Sequence, residues 1–551
     1  MNRLPSDIRR HHQTQFRQKP HFLPLLVRQS WLLISSSFLI LHCAQKQQAG
    51  QQAPIPEGGV FRVKQYPVQT VDPTKASDFS NSFIINQVFE GLIEYDVGLN
   101  LGPALSDFWT IDSTGVVYRF HLRHNVYFQN GHSITAQDVI FTFERLLRAD
   151  FEKHTSVHTF ISALRGYQDF IHGKSAHISG ITSAAPDSVQ FTLRQPVRDF
   201  LLLFASDFAK ILPADSPEAF TKTHVRSIAG AGPFFIQSWT DSLIVLRRFP
   251  RYYRAPAHID SIVIHQDPDY TDTETLEQFR QHTLDFISAP YWALDSLQQD
   301  TNTVILSRTG LNLEYIGMNN QHPILKHKSA RYALAETIDW DSVYSGTEDF
   351  YIPATSIIPP GLQGFEASTH PPKESIAYRS YFRHHYYSDQ DSITFSVIGK
   401  NDEYYYDDYM LFRDWKNAGV PIQLHIAPWE EFSETISDGS ADIFSLQWIV
   451  DIPSTAHYLF NVFHSDGSGN YFHYSNSLVD SLLDQVIYTT GIEPDSVLRH
   501  IINIITDDLP FIPVDYAITA YACRPTLRGL ELSPFGGTII PCEKIWYAQE
   551  K

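Results

Sequence analysis

Chemistry-bearing side chains are plentiful in this 551-residue chain, with 25 histidines, 61 carboxylates and three cysteines, so spacing has to decide which of them could act together. A hydrolytic serine sits on a Gly-x-Ser-x-Gly elbow, a zinc-protease helix carries His-Glu-x-x-His, and a phosphate cradle reads Gly-x-x-x-x-Gly-Lys-Ser/Thr. None of the three patterns occurs. His154 and His158 are four apart and could share a helix face toward a metal, but the pair lacks a third ligand and reads as solvated surface. Gly230-Ala231-Gly232 is too short to wrap a phosphate and runs into an apolar strand pattern, which makes it a tight turn. The sequence therefore predicts no catalytic residue, no metal site and no cofactor. Aromatic residues make up 13% of the chain, among them Tyr404, Tyr405, Tyr406, Trp415, Trp429 and Trp448, and they suit either a large core or the wall of a roomy pocket, stacking on sugars included.

The elements that must position such residues are clearest between Pro103 and Leu147. Val116, Tyr118, Phe120 and Leu122 alternate with Val117, Arg119, His121 and Arg123, the period of a strand with one buried face. Asn130-Gly131 marks a turn. Thr135 then precedes Asp138 by three residues, a capping-box start, and Val139, Phe143, Leu146 and Leu147 recur at helical spacing. A second alternating strand is expected over 188–194. Strands interleaved with helices, without repeats or heptads, predict an α/β architecture of more than one lobe.

The order Pro-Ala-Leu, Trp, x-Leu-Arg, x-Phe-x-x-Gly, Thr-Ala-x-Asp-Val in this stretch closely resembles the signature of the extracellular solute-binding proteins, family 5, the oligopeptide- and dipeptide-binding components of ABC importers. The flanks keep that family's order. Asp72-Pro73 and Phe89-Glu90-Gly91-Leu92 come first; Gly230 to Phe234 with Trp239 and then Tyr252-Tyr253 follow. Tyr315 to Asn319, Arg331 to Leu334, Ile338-Asp339, Pro359-Pro360, Trp415 to Val420, Asp442, Trp448 and Asp451 continue in register, as do Tyr474-Ser475-Asn476, Asp480 to Leu483 and Asp508-Leu509-Pro510. Ile452-Pro453 departs from the family's usual continuation after the aspartate, and residues 365–392 lack its alanine- and leucine-rich helix.

The resemblance implies a two-lobed periplasmic-binding-protein-like fold of type II, similar to cluster C, with a subdomain inserted in the first lobe. Lobe I would comprise 58–92, 228–309 and 519–551, the inserted subdomain 93–227 and lobe II 310–518. Two crossings make a hinge that closes on ligand. The implied function is capture of a short peptide for delivery to a separate permease and ATPase, without chemistry. Asp451, three residues after Trp448, matches the aspartate that pairs with a peptide's α-ammonium group, and both are the expected ligand-binding residues; a loop aspartate in an Asx-turn before Pro453 is the plainer reading. Lys400 and Arg413 are candidates for the peptide carboxylate. The alternatives are a same-fold binder of oligosaccharide, opine or metal chelate, and an exported hydrolase on the same scaffold.

Charge and leader agree with export. The first 42 residues carry six basic residues against Asp7, leaving 36 basic and 60 acidic residues beyond them, a net of −24 that excludes a nucleic-acid partner. The apolar run Trp31 to Leu41 is too short to span a bilayer, which needs about 20 residues, and suits a signal peptide over 1–42. Ile40-Leu41-His42-Cys43 resembles a lipobox, with Cys43 as the lipidated residue anchoring the chain to the membrane and 43–57 as a Gln-rich tether; a plain signal peptide cut elsewhere is the alternative. Cys523 and Cys542 form either a disulfide or two buried thiols.

Overall fold

The computed structural model describes residues 55–75, 79–148, 160–344, 351–366, 381–384, 392–400, 403–404, 406–450, 452–489, 494–536 and 538–549. It is a mixed α/β, two-lobed structure. Cys43 with its leader, the His154/His158 pair and Asp451 lie outside the described residues.

One sheet has four strands among the described residues. Val60–Gln65 runs parallel to Ser261–Gln266, which pairs antiparallel with Leu243–Arg248, itself antiparallel to Phe234–Trp239. Phe61, Phe234, Ile244, Leu246, Ile262 and Ile264 are its buried side chains. The Gly-Ala-Gly turn entering this sheet serves close approach: a Cβ on Gly230 would lie 2.0 Å from the Val88 carbonyl oxygen and one on Gly232 2.5 Å from that of Gln87, so only hydrogen lets the turn press on the end of helix Phe79–Val88.

A second, all-antiparallel sheet is ordered Ser106–Ile111, Val117–Leu122, Ser188–Thr192 and Ile181–Ala185. Tyr118, Phe120 and Leu122 are buried, as the alternation requires. Asn130-Gly131 forms its turn, with Gly131 at φ 91°. The backbone N–H of Thr135 donates to Asp138 Oδ2 at 2.8 Å, starting helix Ala136–Arg148. That helix buries Val139, Phe143, Leu146 and Leu147, and Phe143 stands edge-on to Phe191 with centroids 4.8 Å apart. The strand expected over 188–194 ends at Thr192, because Leu193 turns its N–H to Val116 and Arg194 donates to Ala163.

Among the described residues the largest sheet has nine strands. One strand, Phe511–Cys523, runs along two partners in succession: residues 511–515 pair with Asn312–Met318, and residues 518–523 with Val304–Thr309. Between those partners Gly310 donates to Ala517 and Leu311 to Pro534. Beyond Asn312–Met318 the sheet continues through Ile443–Ile449 and Ile393–Lys400 to Ile422–Ala427. Helices Lys328–Glu336 and Tyr406–Ala418 cover one face, burying Leu334, Met410, Leu411 and Trp415 against Ile316, Met318, Phe395 and Val397. Of the two options left open for Cys523 and Cys542, two buried free thiols are observed. Burial pushes the Cys523 thiol up to about 11, so neither oxidation nor metal binding is favoured there.

Candidate ligand-binding site

Along Asn312–Met318 side chains alternate, so Asn312 and Glu314 share one face. Register across to Ile443–Ile449 places Asn312 beside Ile449 and Glu314 beside Gln447, and Ser445 follows one pair further on the same face. The Ser445 hydroxyl donates to Glu314 Oε1 at 3.2 Å. On the other flank a bulge intervenes: Tyr315 faces Pro513 but Glu314 faces Asp515, with Val514 extra. Regular alternation would turn Asp515 away; the bulge swings it to Glu314. Helix Tyr406–Ala418 begins over this face with Asp407 and Asp408 in its first turn, where the helix dipole favours negative charge.

Four carboxylates thus meet beside strand Asn312–Met318. Burial, and then neighbouring Asp407, push Glu314 up to about 7. Burial, with Glu314 and Asp407 adding repulsion, lifts Asp515 to about 8. Asp407 is raised by burial, and Asp408 well above its ordinary range by burial, Asp407 and Glu314. Asp408 and Asp515 are only 2% and 3% exposed, and the Oδ1 atom of each has no hydrogen-bond partner. Among the described residues no lysine, arginine or histidine pairs with any of the four. The strip opens outward: Ile449 is 60% exposed and Tyr351, on the short strand paired to Phe511–Cys523, reaches solvent. Buried anions without counter-ions must take protons or meet a cation, since leaving them charged and unpaired is costly.

Of the residues the sequence singled out, Trp448 lies on the opposite side of its strand from Gln447 and Ile449, half-buried, edge-on to Tyr458 at 6.2 Å and closing over Gly469, where a Cβ would come within 2.4 Å of the indole. It does not join the acidic strip. Arg413 is held by Asp414, at 2.7 Å, and by Ser342. The carboxylates were not singled out in the sequence, although Glu314 in NLEYIGM and Asp515 in FIPVDYAITAYAC each interrupt an apolar strand, which is a usable signal.

A cavity of about 140 Å3 in the first lobe, lined by Glu90, Glu94, Lys210, Tyr252, Arg254 and Glu543 among others, behaves differently. Two of its carboxylates are partnered from within: the Tyr252 hydroxyl donates to Glu90 Oε1 at 2.5 Å, and Arg254 meets Glu94 at 2.7 Å. Glu90, raised to about 7 by burial, here belongs to a closed network that braces the Phe-Glu-Gly-Leu turn.

The two-lobed α/β fold is that of a class of ligand-capturing binding proteins, and the family comparison assigns the chain to it. Residues 100–470 match the bacterial extracellular solute-binding proteins, family 5, and the chain belongs to that family of substrate-binding proteins. It is 23% identical to the probable deoxycholate-binding periplasmic protein of Escherichia coli (strain K12), over 91% of this chain and 96% of that one. It is 24% identical to heme-binding protein A of Haemophilus influenzae, over 82% and 85%. Its fold is similar to that of the periplasmic binding protein DppA from Helicobacter pylori, solved in complex with peptide STSA, with TM-score 0.73, 18% identity and coverage of 90% of this chain and 99% of that one. Among the described residues no helix is long and apolar enough to cross a membrane.

Proposed function

We propose that this protein captures a short, positively charged peptide outside the cytoplasmic membrane and delivers it to an ABC permease, performing no chemistry itself. The single observation that carries the charge assignment is the set Glu314, Asp407, Asp408 and Asp515, which has no counter-ion among the described residues. A lysine or arginine side chain entering from the Gln447 and Ile449 end would supply the missing counter-charge. The peptide reading is supported by family membership and by the peptide bound in the similar structure. Asp451, three residues after Trp448 in the sequence, would hold the peptide's ammonium end. The strand Phe511–Cys523 and the link through Gly310 and Leu311 would act as the hinge, with lobe II spanning 310–518. Cys43 would carry the lipid anchor, and Cys43→Ser should then move the protein from the membrane to the soluble fraction.

Isothermal titration with Ala-Lys-Ala, Ala-Ala-Ala and Ala-Glu-Ala tests the reading. The expected order of affinity is lysine, then alanine, then glutamate. Equal affinities, or a preference for the acidic peptide, would discard the cationic assignment, and binding of none of the three with heme bound instead would favour a chelate binder.

A further inference from the structure

A second set of side chains converges in the inserted antiparallel sheet, away from the acidic strip. His121 is the last residue but one of strand Val117–Leu122, His124 lies in the turn after it, and Asp187 precedes strand Ser188–Thr192. His124 Nε2 and His121 Nε2 stand 3.7 Å and 4.0 Å from Asp187 Oδ2, and one ligand atom from each of the three residues falls within 4.8 Å of the others. These separations exceed hydrogen-bond length. They approach the roughly 3.3 Å edge of a tetrahedron with metal–ligand bonds of about 2.0–2.1 Å.

The surroundings fix the set in place. The Asp107 carboxylate meets His121 Nδ1 at 2.7 Å, which assigns the proton to Nδ1 and leaves the Nε2 lone pair directed at the other two groups. Phe108 stacks on the His121 ring at 4.7 Å and 14°, restricting its rotation. Leu122 N–H donates to the Asp187 carbonyl at 2.8 Å, and His121 is in register with Ser188, so the backbone of Asp187 is tied to the strand that carries His121. Closing the set takes a small shift of the Asp187 carboxylate toward His121 Nε2, 4.0 Å away, and of the exposed His124 on its turn.

We propose that His121, His124 and Asp187 form a site for a divalent transition ion, Zn2+ above all, with Asp107 as the orienting partner of His121. Two imidazoles and one carboxylate suit zinc and its neighbours and disfavour Ca2+ and Mg2+, which take oxygen-only shells. Three protein ligands leave a fourth position open to water or to a group on another molecule.

Titration of the purified protein with Zn2+ alone, by calorimetry, tests the site. Wild type is expected to bind one more equivalent than His124→Ala, a substitution of an exposed turn residue that should leave the melting temperature without metal unchanged. Asp107→Asn keeps all three ligands and should weaken that equivalent about 10- to 100-fold. An anomalous peak in Zn2+-soaked crystals should lie within bonding distance of His121 Nε2, His124 Nε2 and Asp187. The same stoichiometry and affinity in wild type and His124→Ala would overturn the site, and wild-type affinity in Asp107→Asn would overturn the orienting role.

Discussion

Glu314 and Asp515 are register partners on adjacent antiparallel strands, brought to the same side by a bulge with no cation beside them among the described residues. Like charges directly opposed across a sheet oppose folding unless a proton or a ligand intervenes.

The first consequence is a pH profile of stability. The folded values of these acids lie above their unfolded ones, Glu314 at about 7 against 4.5 and Asp515 at about 8 against 3.8. Between the two sets the native state holds more protons than the unfolded chain, so stability falls as pH rises through that window. Ligand-free protein should therefore melt higher at pH 5.5 than at pH 8.5, by free energies on the order of 1–3 kcal/mol. Glu314→Gln with Asp515→Asn should flatten the difference in calorimetric scans; an undiminished slope in the double variant would assign it to other groups.

Binding of a cation should expel the same protons. Affinity for Ala-Lys-Ala is then expected to strengthen between pH 6 and pH 8, and titrations in buffers of different ionisation enthalpy should register net proton release. A pH-independent affinity with no buffer effect would separate the ligand from the carboxylates.

Asp451 carries its own test. Removing one partner of a charge pair in a closed cleft costs about 2–5 kcal/mol, or roughly 30-fold to several thousand-fold in affinity. Asp451→Asn should impose this loss on peptides with a free amino terminus and spare N-acetylated ones. Equal losses for both would return Asp451 to a turn residue.

Gly230 offers a control on the scaffold. Its missing side chain would stand 2.0 Å from the Val88 carbonyl oxygen, a backbone atom that cannot swing aside. Gly230→Ala should cost about 3 kcal/mol in denaturant unfolding, and unchanged stability would mean that the turn is free to shift.

The strand, turn and capped helix between Pro103 and Leu147 were legible in the sequence because each rests on contacts between residues a few positions apart: alternation, a glycine turn and one cap hydrogen bond. The family's order of short motifs was legible too, and with it the two-lobed class. The acidic strip was not. Its members at 314, 407, 408, 445 and 515 come from four separate elements, and their meeting depends on strand order and on a one-residue bulge, neither of which leaves a local period. The same holds for His121, His124 and Asp187: two of them sit together in the chain, but the third arrives only through pairing of Val117–Leu122 with Ser188–Thr192. Local free energies set the elements, while register between distant strands decides which charges share a face, and only the tertiary structure contains that register.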